Sequence, residues 1–160
     1  KYFGIDFSGG LINVAKEKYE IYSHLKFEKM DVRRLVDSNL IKNIKFDCII
    51  MNGIHMYLDD SFVIEIFKYL KDIISSAAVV YIRESVSLLD KRMTLVNEYS
   101  DELSSSYSAV YRTVSEYREI INTCLVPRGF KVIESDYIFT GNLSKRKETG
   151  QYYYLAKNYD

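Results

Sequence analysis

The chain has 160 residues, enough for one domain with a substantial core. Lysine plus arginine and aspartate plus glutamate number 22 each, so no net charge recruits nucleic acid or an anionic membrane surface. Hydrophobic residues form 48% and charged residues 28%, an ordinary globular balance, and 15 Tyr with 8 Phe supply aromatic surface for a binding pocket.

In chain order, Tyr2 to Phe7 reads as a short, buried, aromatic strand that carries one acid, Asp6, near its end. Ser8 offers a hydroxyl to cap a helix, and Leu11, Ile12, Ala15, Tyr19 and Tyr22 recur at helical spacing. A carboxylate at the carboxyl end of a parallel strand can accept both hydroxyls of an adenosine ribose. The same residue type also suits a plain turn or cap. Leu25 to Met30 alternates apolar and charged residues, as a half-exposed edge strand does, and Asp31 follows at its end. Val32 to Val36 then has room for one or two helical turns. Phe46 to Met51 is a mostly apolar run and predicts a central strand covered on both faces, with Cys48 reduced and buried inside it. It runs into Asn52-Gly53-Ile54-His55-Met56-Tyr57. Asp59, Asp60 and Ser61 can cap the next helix, whose stripe is Val63, Ile66, Phe67, Leu70 and Ile73.

Ala77 to Ile82 predicts another buried strand, closing on Arg83-Glu84. Ser85 to Arg112 breaks the rhythm: it is long, polar and rich in Ser and Tyr, and predicts a mobile cap over a site. Thr113-Val114-Ser115-Glu116 is a capping-box pattern, opening a helix with Tyr117, Ile120, Ile121, Cys124 and Leu125 on one face. Pro127 and Gly129 end it. Phe130 to Phe139 and Tyr152 to Lys157 are close enough to pair antiparallel, with Lys145-Arg146-Lys147 as a solvated tip between them. The whole predicts a single α/β domain over residues 1–160: a Rossmann-like open sheet, mostly parallel, with helices on both faces and a C-terminal antiparallel hairpin. Residues 85–112 form its cap insertion. Ligands of such sheets sit outside the carboxyl ends of the strands, marked here by Asp6, Asp31, Asn52 and Arg83-Glu84. No apolar run approaches the roughly 20 residues that span a bilayer, and no secretory leader pattern opens the chain, so the expected compartment is the cytoplasm. Neither cysteine has a partner at metal-ligand spacing, and no metal is expected.

These residues carry a resemblance. Tyr2-Phe3-Gly4-Ile5-Asp6-Phe7-Ser8 and its helix resemble the second strand and helix of class I S-adenosylmethionine-dependent methyltransferases. Phe27-Glu28-Lys29-Met30-Asp31-Val32 is similar to the segment bordering the adenine in that family. Phe46 to His55 is similar to its fourth strand and the loop below the methionyl group, and Pro127 to Ile133 to the turn before its closing hairpin. The resemblance implies S-adenosylmethionine as cofactor, with Asp6 on the ribose hydroxyls beside Phe7, and Asp31 and the Val32 amide at the adenine. Asn52, Gly53 and Ile54 would line the methionyl end. It also implies His55, the one histidine near the site, and Tyr57 as residues facing the methyl acceptor, His55 for a catalytic role, with capping or packing as the other reading of His55. Arg83 at its strand end, and Tyr107, Tyr111 and Arg112 reaching over from the insertion, can face the acceptor as well, or the last three simply pack on the sheet. The family's first strand and glycine-rich loop have no counterpart here: the seven glycines include no G-x-G. An additional strand is therefore expected between Tyr2–Phe7 and Phe46–Met51, from residues upstream of Lys1 or from a second chain.

Three functions compete. One is methyl transfer to a small molecule or an exposed peptide group, with no nucleic-acid or membrane partner and self-association left open. Another is a catalytically silent methyltransferase-like subunit that braces a partner, favoured by the absent glycine loop. The last is a nicotinamide-dependent reductase, for which the pairs Tyr22–Lys26 and Tyr153–Lys157 have the right spacing but lie away from the strand ends.

Overall fold

The computed structural model describes residues 1–38, 40–101, 104–139 and 146–159. They form two compact units, Lys1–Lys42 and Asn43–Asp160.

The first unit is a β-α-β element: β1 (Tyr2–Asp6), α1 (Gly9–Tyr19) and β2 (Leu25–Lys29), then a 3₁₀ turn over Val32–Arg34. β1 and β2 pair in parallel, Tyr2 opposite Leu25 through Asp6 opposite Lys29. Ser8 caps α1 by accepting from the Leu11 N–H at 3.3 Å, as its position predicts. The rings of Tyr2 and Tyr19 close on Phe27, with centroids 5.6 and 5.9 Å away. Gly4 is needed beneath them, since a Cβ there would stand 2.9 Å from the Tyr2 ring and 3.1 Å from Phe27. Two expectations shift. α1 stops at Tyr19, short of Tyr22, where Lys16 and Lys18 lie beside the last carbonyls of the helix. Leu11 is 62% exposed, and Ile12 is the buried residue of the helix.

The second unit holds β3 (Phe46–Asn52), a 3₁₀ turn (His55–Tyr57), α2 (Asp60–Ile73), β4 (Ile74–Ser87), β5 (Met93–Ser100) and β6 (Ser105–Tyr111). α3 (Val114–Cys124), β7 (Phe130–Tyr137) and β8 (Thr149–Asn158) complete it. Its main sheet runs β3-β4-β8-β7. β3 and β4 are parallel, and β8 returns between β4 and β7, antiparallel to both. The closing antiparallel pair is thus present, with β8 on the inside of the sheet.

Alternation along the central strands fixes one buried face. In β4, Ala78, Val80, Ile82, Glu84 and Val86 are buried, while Val79, Tyr81, Arg83 and Ser85 point the other way and are half-buried. In β8, Tyr152, Tyr154 and Ala156 are buried. Val63, Ile66, Phe67, Leu70 and Ile73 of α2 and Tyr117, Ile121 and Cys124 of α3 complete this core. The Tyr154 hydroxyl donates to the Val114 carbonyl at 2.8 Å, tying β8 to the start of α3. That start carries the predicted capping box: Thr113 accepts from the Glu116 N–H, and Glu116 accepts from the Thr113 N–H. Gly129, at φ 86°, ends the turn that follows α3, a conformation open to glycine.

Several expectations give way here. β3 is not covered on both faces: Met51 is buried, while Asp47, Cys48, Ile50 and Asn52 are exposed. Among the described residues β3 has one strand partner, β4, and it stands at the end of its sheet. Cys48 is accordingly exposed and Cys124 alone of the two is buried. The stretch 85–112 is not an irregular cap. β4 runs on to Ser87, and the rest folds into the antiparallel hairpin β5–β6. Thr94, Leu95, Val96, Tyr107, Val110 and Tyr111 are β-formers whose pairing the surrounding polar residues conceal. Of the serine-rich centre, Ser104 stands just before β6 at φ 46° while Ser105 and Ser106 begin that strand, and a bulge between Leu95 and Glu98 holds Asn97 at φ 53°.

Candidate functional site

In the first unit, Asp6 ends β1 with its Oδ1 accepting from the Ser8 N–H at 2.7 Å. It therefore shapes the turn into α1, and among the described residues its Oδ2 carries no hydrogen bond. Phe7, next along, is 72% exposed at the strand end. Asp31 caps the 3₁₀ turn that Val32 begins, taking the Arg33 N–H at 3.0 Å. Both its oxygens are also gripped by the Arg33 guanidinium, with Nε at 2.9 and 3.0 Å and Nη2 on Oδ2. Those bonds hold the Asp31 carboxyl below the usual carboxylate range.

In the second unit the segment Asn52–Tyr57 leaves the carboxyl end of β3. Gly53 turns it, at φ 65°, and donates its N–H to the Arg83 carbonyl at 2.8 Å. A Cβ on Gly53 would meet no atom within 4 Å, so the turn opens onto free space. The next two amides, of Ile54 and His55, donate to one oxygen of Glu84 at 3.0 and 3.1 Å. Glu84 is buried, and burial pushes its carboxyl up to about 7 against the opposing pull of those amides and of Arg112. This acid organises the loop.

His55 is also fully buried. Its Nδ1 lies 3.3 Å from Glu84, and its ring packs 5.2 Å from Phe67 and 6.0 Å from Tyr117. Burial first, and the Arg112 cation second, lower its pKa to about 3. An enclosed, neutral imidazole replaces the expected catalytic histidine facing a substrate. Arg112 is likewise turned inward: it donates to the carbonyls of His55 and Leu58, each at 2.8 Å, and to Asp60 at 2.8 Å. Its guanidinium is spent on holding the loop to α2, which leaves it no face toward an acceptor. Arg83 points to the sheet face opposite Glu84, where it donates to Gln151 at 3.3 Å.

The expected tyrosines do converge. Met56, Ala109 and Tyr111 form a buried cluster with Met93, Leu95 and Tyr107 packed against it, so the β5–β6 hairpin seats on the His55–Tyr57 turn. The hydroxyls of Tyr107 and Tyr111 lie 3.5 Å apart, and the Arg146 Nη2 donates to Tyr107 at 3.3 Å. Tyr57 is 51% exposed, and its pKa is raised by partial burial and by the neighbouring Tyr107 and Glu84. Two members of this arrangement escaped sequence reasoning. Glu84 was visible as a strand-end acid beside Arg83, but strand parity, which sends one inward and the other outward, is known only once the sheet faces are known. Arg146 was expected at a solvated tip, and nothing in its neighbours announces a tyrosine 39 positions away; Lys145 lies outside the described residues. Among the described residues no cluster of His, Cys, Asp and Glu could hold a metal ion. No described helix is long and apolar enough to cross a membrane.

Solved structures share this architecture across nearly the whole chain. The fold is that of class I S-adenosylmethionine-dependent methyltransferases. A methyltransferase of this kind from Methanosarcina mazei aligns with a TM-score of 0.69 at 13% identity, over 98% of this chain and 81% of its own. One from Mesorhizobium loti aligns with a TM-score of 0.67 at 12% identity, over 98% and 79%. The N-methyltransferase NodS from Bradyrhizobium japonicum, in complex with S-adenosyl-L-homocysteine, aligns with a TM-score of 0.60 at 12% identity, over 99% and 66%. No protein-family model matches the chain, and no curated protein matches its sequence.

Proposed function

We propose that the chain transfers a methyl group from S-adenosylmethionine to a small-molecule or exposed peptide acceptor. The observation that carries this reading, within a methyltransferase fold, is Asp6: a strand-end carboxylate with one oxygen fixed by the Ser8 amide and the other available. S-adenosylmethionine supplies a methyl group on a sulfonium, a leaving group so good that the protein has mainly to align the acceptor and exclude water. Asp6 takes the ribose hydroxyls, with Phe7 beside them. Asp31 and the Val32 amide take the adenine, which requires Arg33 to release at least one of its bonds to Asp31. Asn52, Gly53 and Ile54 hold the methionyl end, and the free space beside Gly53 fits a group passing close to backbone. Tyr57, Tyr107 and Tyr111 stand on the acceptor side. His55, Glu84 and Arg112 act as positioning residues, since they shape the 52–57 loop without facing it outward.

Calorimetric titration with S-adenosyl-L-homocysteine tests this. The complete protein, with the additional expected strand, is expected to bind it at micromolar level, and Asp6→Ala, which strips the ribose of its acceptor, to cost roughly 1.5–3 kcal/mol, or about 10- to 150-fold in affinity. Unchanged affinity in that variant rejects the assignment of Asp6.

A further inference from the structure

We infer that the methyl acceptor bears a carboxylate, and that Arg146 with the hydroxyls of Tyr107 and Tyr111 forms its binding site. This rests on the methyl-transfer reading only in calling the ligand an acceptor; the site itself is built in the second unit alone. The described partners of Arg146 are the Tyr107 hydroxyl at 3.3 Å and Glu98, whose nearest oxygen is 4.0 Å away. Among the described residues, its five N–H donors in a fork thus have one hydrogen bond and one loose ion pair, and the side chain is 35% exposed. A planar carboxylate matches such a fork with two parallel bonds.

The tyrosines reinforce the choice. Their hydroxyls are 3.5 Å apart, a weak contact with each other but a spacing at which both can donate to one oxygen between them. Burial, then the hydrogen bond with Tyr107, raises the Tyr111 pKa, so it stays protonated and able to donate. The half-exposed ring of Tyr57 supplies an apolar wall for the rest of the ligand. Charge decides between anions. One guanidinium, partly answered by Glu98 and surrounded by neutral phenols, balances a single negative charge and leaves a phosphate dianion in excess. A cationic ligand would face Arg146 directly.

The test is titration of the full chain with benzoate, followed by NMR of the arginine Nε–H and tyrosine ring signals. Benzamide serves as the neutral isostere, benzylamine as the cation and phenylphosphonate as the dianion. Benzoate should shift the signals of Arg146, Tyr107 and Tyr111, and bind about tenfold more tightly than benzamide. Arg146→Gln should lower benzoate affinity about tenfold, Arg146→Lys by less, and Tyr107→Phe about threefold, since one neutral donor is lost. Equal binding of benzamide or benzylamine, tighter binding of phenylphosphonate, or an unchanged affinity in Arg146→Gln overturns the inference. S-adenosyl-L-homocysteine titrated in parallel separates the two readings. Its failure beside intact benzoate binding sinks methyl transfer alone, while the converse sinks only the carboxylate site.

Discussion

Glu84 and His55 meet in the core of the second unit with no water-exposed surface between them, and each is disfavoured in its charged form. Their effects on stability have opposite signs. Glu84 rises from 4.5 to about 7, so the folded chain keeps a proton that the unfolded chain releases. That contribution is fully present below 4.5 and is lost as pH rises through about 7. His55 falls from 6.5 to about 3, so its contribution is present above 6.5 and is lost as pH falls through about 3. Between 4.5 and 6.5 the two oppose one another, and above 6.5 Glu84 acts alone. Denaturant unfolding of the parent chain is therefore expected to show lower stability at about pH 8 than at about pH 6. In Glu84→Gln the amide oxygen still accepts from Ile54 and His55 but cannot ionise, so only the His55 contribution remains and the order should reverse, with stability higher at about pH 8 than at about pH 6. Equal losses in both proteins would show that Glu84 does not titrate as its burial demands.

Between elements, Arg112 is a buried fastening with three bonds to distant residues. It joins the end of β6 to the His55–Tyr57 turn through the His55 and Leu58 carbonyls, and to the start of α2 through Asp60. Burial pushes the Asp60 carboxyl up, but the bonds from Arg112 and Arg92 outweigh it and hold the group below the ordinary range. Arg92 continues the chain to Glu116 in the capping box of α3. Arg112→Ala would leave two carbonyls facing a cavity with no donor, and is expected to cost roughly 3–5 kcal/mol by chemical denaturation. Loss of under about 1 kcal/mol would mean that water replaces the guanidinium and that the brace is dispensable. Glu84 fastens the same turn from β4, so the 52–57 loop is held by two buried ionisable side chains, while Tyr57 remains half-exposed. A loop held this firmly suits alignment of a reacting group better than capture by closure.

Across the whole molecule, protection from hydrogen exchange should follow the number of strand partners. β4 and β8 are each paired on both sides in the second unit and supply its most buried residues, so their amides should exchange slowest. Amides of β5 and β6 have one partner strand and mostly exposed side chains in β5, and should exchange faster. The reverse order, read by mass spectrometry or NMR, would contradict the sheet order β3-β4-β8-β7.

Local information in the sequence sufficed for the Ser8 cap, the Thr113–Glu116 capping box, the apolar stripe of α2, the Gly129 turn and the alternation of strand and helix. Each depends on residues within a few positions of one another, whose spacing is set by helix and strand geometry. The strand-end positions of Asp6 and Asn52, and through them the likeness to methyltransferases, were legible for the same reason. Tertiary structure decided the rest. The exposure of Cys48 and Ile50 depends on where β3 stands in the sheet, and the inward turn of His55 and Arg112 depends on α2 and α3 closing over them. The meeting of Arg146 with Tyr107 depends on how β8 returns beside β4. Periodicity tells which side of an element is apolar; only the fold says what, among residues distant in the chain, comes to rest against it.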